Sequence, residues 1–198
     1  MATWNHAKLG EFSYDYPAWE GKIALPAFRH FTYEIIPPRG QFELAFMMND
    51  QEQLPSRSLV SVAERIMDKA PMLAREMIAA LWDDINGEGP NSGIWWHGDF
   101  AFVASKIDQN PLCEAVGPLT EANDLYRLLG LQRISVLHDA DAFDRPVAEF
   151  SFAAAFEDEY GVGIITDGNG ILGIGYSADV TPFDMVSISG RLGRSRAI

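Results

Sequence analysis

The chain has 198 residues, 47% of them hydrophobic and 22% charged, a balance that excludes wholesale disorder and suits one globular domain. Its 28 acidic residues against 15 basic ones give a formal net charge of −13, a field that repels phosphate backbones and argues against nucleic-acid binding. A lone cysteine, Cys113, excludes an intrachain disulfide and a cysteine-based metal cluster.

The opening residues lack the basic start and long apolar run of a signal peptide. No stretch approaches the roughly 20 apolar residues that span a bilayer. A reducing cytoplasm is therefore the expected location, with no membrane partner.

Phe12, Tyr14 and Tyr16 alternate with polar neighbours, and Trp19 with Lys22-Ile23-Ala24-Leu25 suggests a second strand closing at Pro26. Residues 31–36 alternate again and end at Pro37-Pro38-Arg39-Gly40, after which Gln41 to Phe46 resumes the two-residue period. These segments read as an antiparallel meander. After Asp50 the period changes. Leu59, Ala63, Ile66, Ala70, Leu73, Met77, Leu81 and Ile85 recur every three or four residues, as one helical face requires. Pro71 removes a backbone donor inside this segment and predicts a kink, or two helices with the second starting at Pro71. Asn86-Gly87-Glu88-Gly89-Pro90 ends it.

Residues 87–118 hold the apolar pair Trp95-Trp96, and Phe100 to Ala104 fits a strand or a short helix equally. Thr120 opens a short helix with Leu125, Leu128 and Leu129 on its buried face, stopped by Gly130. Strands follow at 134–137 and 147–154. Asp167-Gly168-Asn169-Gly170 between two apolar runs is a hairpin turn. Gly168, Gly170 and Gly173 match the letters of a dinucleotide-binding loop, but strand follows where a phosphate-holding helix would be needed. No cofactor is assigned.

No catalytic residue or metal ligand is assigned either. His138-Asp139 with Asp141 and Asp144 reads as a solvated turn without the glycine and final acid of a calcium loop. His97-Gly98-Asp99 lacks a third ligand, His6 and His30 are isolated, and Cys113 sits in ordinary packing material. The densest constellation is Glu157-Asp158-Glu159-Tyr160, read as a hydrated acidic turn near a strand end. Three successive carboxylates raise one another's proton affinity if partly buried, which is how a general acid arises. Adjacent tryptophans in a strand would face opposite sides, so one of Trp95 and Trp96 is expected to be exposed or covered by a second subunit, with Trp96 named as the candidate for binding or self-association.

Phe156-Glu157-Asp158-Glu159-Tyr160-Gly161-Val162-Gly163 resembles the late Trp-Asp-x-Glu-His-Gly-x-Gly signature of a family of uncharacterised bacterial domains. Glu159, Gly161 and Gly163 match it; Phe156 and Glu157 replace the Trp and Asp. The segment from Trp19 to Phe28 is similar to that family's opening Trp-x-Gly-x-Ile-x-Leu-Pro-x-Phe. Tyr160 stands where the family has His, and a phenol titrating near pH ~10 is a poor neutral-pH proton shuttle. The resemblance thus implies a structural or binding edge, with bacterial toxin-immunity proteins as an analogy.

The sequence reading is an α+β fold: N- and C-terminal antiparallel strands against a central helical segment, in one domain over 1–198. Its core spans about 8–186, and 187–198 is expected as a flexible tail. The expected function is a non-enzymatic protein-binding module with an acidic face, using Glu157, Asp158, Glu159, Tyr160 and Trp96. Its expected partner is a basic protein, with homo-oligomerisation as a second possibility. The alternative is a small hydrolase or metal-dependent enzyme using Glu157, Asp158 or Glu159 with His97 or His138.

Overall fold

The computed structural model describes residues 2–34, 40–48, 53–113, 117–137, 145–177, 179–180 and 182–183. It is a mixed α+β structure built on one eight-stranded sheet whose strands lie side by side in chain order. β1 (Thr3–His6), β2 (Gly10–Asp15), β3 (Ala18–Ala24) and β4 (Gln41–Met47) form one antiparallel set. β5 (Leu129–Leu137), β6 (Val147–Ala154), β7 (Glu157–Thr166) and β8 (Ile171–Gly175) form another. The sets join through β4 and β5, which run parallel with Leu44 opposite Ile134 and Phe46 opposite Val136. Parallel neighbours need a long crossover, and the helical middle of the chain supplies it.

That middle is dominated by α1 (Arg57–Ile85), one helix of 29 residues. The division into two helices at Pro71 does not occur. Pro71 sits on the exposed side of α1, and the buried stripe from Leu59 to Ile85 continues past it. The ring costs α1 one backbone bond and is accommodated without breaking the helix. Ser56 caps the start, its hydroxyl accepting from Leu59 N at 3.4 Å.

α1 touches turns from opposite margins of the sheet. In the β1–β2 turn, Lys8 Nζ lies 2.7 Å from Asp68. In the β7–β8 turn, the Asp167 carbonyl accepts from Arg65, and Asn169 accepts from Lys69 at 2.6 Å. The first and last hairpins thus meet one turn of the same helix, so the sheet curls around it. Phe12, Trp19, Phe46, Phe150 and Phe152 fill the concave side with the apolar stripe of α1.

Three other expectations change. Residues 31–34 are not a strand: Pro26–His30 is a 3-10 turn, and Glu34 takes a φ of 56° that breaks extended geometry. Gly130 does not stop a helix. The helical turn α3 (Leu125–Leu128) is followed at once by β5, in which Gly130 pairs with Ala153. Phe100–Gln109 resolves as a helix, α2, capped by Asp99. Of the turn expected at Pro37-Pro38-Arg39-Gly40 only Gly40 is among the described residues; the turn expected around His138 to Asp144 and the C-terminal tail lie outside them.

Candidate functional site

The acidic triplet forms the first residues of β7 and not a turn. Two residues, Ala155 and Phe156, make the reversal from β6, anchored by the bond from Ala155 N to the Leu128 carbonyl at 2.9 Å. Phe156 is buried against the Trp96 ring, 5.7 Å between centroids. With that anchor inside, Glu157 is half-buried, and Asp158, Glu159 and Tyr160 are exposed. Gly161 follows at φ +65°, where a Cβ would stand 2.3 Å from the Phe152 carbonyl oxygen, so the strand start requires glycine there.

Glu157 is held from outside the strand. Trp95 donates its indole N–H to Glu157 Oε2 at 2.8 Å, and Glu157 Oε1 accepts from Tyr160 N at 3.3 Å. The charges of Glu157 and Glu159 raise the phenols around them. Tyr160 is pushed up by its hydrogen bond with Glu159 and by that residue's charge, and Tyr176 by burial and then by Glu157 and Glu159. The two rings lie 5.3 Å apart.

The segment carrying Trp95 is pinned by Asp84, in the last turn of α1 and only 1% exposed. Its carboxylate accepts from Ser92 N at 3.1 Å, Ser92 Oγ at 2.6 Å and the Trp96 indole at 2.8 Å, and its Oδ1 lies 2.6 Å from His97 Nδ1. Four contacts of this kind satisfy a buried carboxylate. Trp96 is fully buried, which corrects the expectation of an exposed Trp96. The pair lies in a turn and not a strand, so alternation does not apply, and Trp95 is the half-buried member.

Two adjoining cavities lie beside the triplet. One of about 160 Å³ is bordered by Glu34, Gln132, Glu157, Asp158, Glu159 and Tyr160. The other, about 490 Å³, runs along Lys106, Asn110, Leu112 and Phe156. Tyr33, Glu34 and Asp158 border both, so they form one groove. Leu112 is 64% exposed and Tyr160 56%. Tyr33 as a whole residue is 7% exposed, and burial is the first cause raising the proton affinity of its phenol. The bond from Asn110 opposes that rise, while Glu34, Cys113 and Asp158 add to it.

His97 is near Asp84, but Ser92 gives its hydroxyl proton to Asp84 and not to His97. No group of three or more His, Cys, Asp or Glu residues suited to a metal ion occurs among the described residues. His138, Asp139, Asp141 and Asp144 lie outside the described residues. Glu149, counted by sequence with the acidic stretch, is buried on β6. Cys113 is buried, and burial pushes its thiol up. Sequence reading missed Glu34, Tyr33, Asn110 and Trp95, since nothing in their local pattern ties them to residue 157. The buried Asp84 was also missed, though an acid next to the apolar stripe at Leu81 and Ile85 was the available signal.

No helix among the described residues is long and apolar enough to cross a membrane. No family model, no curated protein and no solved structure matches the chain.

Proposed function

We propose that this chain is a non-enzymatic protein-binding module whose acidic groove receives a basic protein partner. The observation that carries the reading is the meeting of Glu34 with Glu157, Asp158 and Glu159 around one cavity, from segments over a hundred residues apart. Facing like charges cost free energy in the free protein, and a cationic surface relieves it. The exposed Tyr160 and Leu112 add apolar contact of the kind found at interface centres. A cytoplasmic location belongs to the same reading, as does the analogy with toxin-immunity proteins drawn from the Phe156–Gly163 segment.

A hydrolase or metal enzyme would need an imidazole or a third ligand beside the acids. Glu157 is instead tied to Trp95, and His97 faces Asp84. The test uses the chain as bait at low and high salt, beside a Glu157→Gln/Asp158→Asn/Glu159→Gln variant. The expected result is a partner retained by the wild type at low salt and lost by the variant. Equal retention by both baits, or no partner at either salt, would sink the reading. Sedimentation of the purified chain separates hetero-association from the competing use of this face by a second copy.

A further inference from the structure

Four aromatic side chains form an unbroken row from the half-buried Trp95 to the exposed Tyr160. The ring centroids of Trp95 and Trp96 are 5.8 Å apart, those of Trp96 and Tyr176 5.5 Å, and those of Tyr176 and Tyr160 5.3 Å. Indoles and phenols are side chains from which a radical readily takes one electron, and rings this close exchange electrons rapidly. Once oxidised, each becomes a strong acid, so a base that receives its proton eases the loss of the electron. Three of the four have a carboxylate in that place. Trp95 donates to Glu157 and Trp96 to Asp84, each at 2.8 Å, and Tyr160 is hydrogen-bonded to Glu159. Trp19 and Tyr14 also lie ring to ring, at 5.3 Å, but the Trp19 N–H goes to the Gln53 carbonyl, which is no base.

Independently of what the groove binds, we propose that the row Trp95–Trp96–Tyr176–Tyr160 is an electron relay that makes Tyr160 the site of oxidative modification. A one-electron radical oxidant takes an electron from Trp95, whose indole proton passes to Glu157. Trp96 supplies the missing electron, Glu157 returns the proton to Trp95, and the Trp96 proton moves to Asp84. Tyr160 then gives an electron to Trp96 through the Tyr176 ring, which ends unchanged. Asp84 returns the proton to Trp96, and the phenol proton of Tyr160 leaves by way of Glu159. At neutral pH a phenol parts with an electron and a proton more readily than an indole, so the radical settles at the tyrosine end. There Tyr160, 56% exposed, is the ring that solvent species reach. A small thiol gives it a hydrogen atom and becomes a thiyl radical, or two such tyrosyl radicals from two molecules join through their ring carbons as dityrosine. Trp96, whose indole serves the buried Asp84, is thereby spared.

The probe is the azidyl radical, made by pulse radiolysis in azide solution, which oxidises tryptophan in preference to tyrosine. The expected result is loss of indolyl absorption matched by growth of phenoxyl absorption, at a first-order rate that does not change with protein concentration. Tyr176→Leu should slow that growth by an order of magnitude or more. Peptide mass spectrometry then locates the dityrosine formed without thiol. Tyr16 is the internal comparison: at 64% it is more exposed than Tyr160, and it pairs with none of the four rings. The relay puts the cross-link at Tyr160, whereas exposure alone puts it at Tyr16. Tyr160→Phe, a surface change, should remove the cross-link, and added thiol should suppress it in the wild type. Three results overturn the proposal: indolyl decay without phenoxyl growth, growth at the wild-type rate in a folded Tyr176→Leu, or a wild-type cross-link at Tyr16. The position of the cross-link decides the matter even where Tyr176→Leu fails to fold.

Discussion

Trp95 and Trp96 are adjacent, with their ring planes 77° apart, and their indole N–H groups serve carboxylates on different elements. Trp96 reaches back to Asp84 in α1, and Trp95 reaches out to Glu157 in β7, each at 2.8 Å. Two consecutive side chains therefore connect the end of the long helix with the start of the acidic strand. The consequences of removing each should differ. Trp96→Phe leaves a core cavity and takes a donor from a buried carboxylate, with an expected loss of about 2–4 kcal/mol. Trp95→Phe keeps the contact with Phe102 and gives up one half-buried bond, with a loss of about 1 kcal/mol or less. Urea unfolding of the two variants measures the contrast.

Asp84 and Asp83 are neighbours with unlike surroundings. Asp84→Ala strands the Ser92 amide, the Ser92 hydroxyl and the Trp96 indole in a buried site, and should destabilise by about 3 kcal/mol or more. Asp83→Ala removes a half-exposed carboxylate and should stay within about 0.5 kcal/mol. Equal losses in chemical denaturation would refute the role given to Asp84.

Burial works to raise the Asp124 carboxyl, but Thr120 N, Glu121 N, Thr120 Oγ1 and Arg127 donate to it and hold it at about 2 against an ordinary 3.8. A folded value below the unfolded one contributes stability above the unfolded value, and that stability is lost as pH falls through the folded one. Wild-type unfolding midpoints should therefore drop between about pH 4 and pH 2 by more than those of Asp124→Asn. A carboxyl titration of Asp124 near pH 4 by NMR would contradict this.

Pro71 interrupts the bonding of an otherwise continuous helix from its exposed side. Alanine there restores a backbone donor without touching the core, so Pro71→Ala should stabilise the protein by about 1–3 kcal/mol. A lowered melting temperature would show that the ring has a packing role.

Glycine is required at 161 and free at 170. Gly161→Ala meets both a positive φ and the Phe152 carbonyl, and should cost about 2 kcal/mol or more. Gly170 has open space around its Cβ position and no positive φ. Gly170→Ala should change stability by less than about 0.5 kcal/mol. Thermal melts of the pair test the distinction.

The two-residue period at 41–46 and the three-to-four-residue period from Leu59 to Ile85 were legible because burial on one face leaves a local trace in the chain; 147–154 is buried on both faces, so its strand was legible from its run of apolar residues. The hairpin around Asn169 was legible from its glycines. β1 was not, since Thr3–His6 is a short margin strand with no buried residue to mark a period. Pro71 misled because the local cost of a proline is smaller than the burial gained by thirteen inward-facing residues of α1. Of the site, the triplet and Tyr160 stood out as a charge run. Glu34, Tyr33 and Trp95 reach it only through the tertiary fold, which a linear pattern does not record.

The docking of both outer hairpins on one helical turn has a kinetic corollary. Asp68 is 60 residues from Lys8, and Arg65 is 102 from Asp167, so each closure demands a large loop and a formed helix to close upon. Contacts this distant slow the search for the native state. The protein should accordingly reach its native form slowly and in one concerted step, with fragments cut between the halves remaining unstructured.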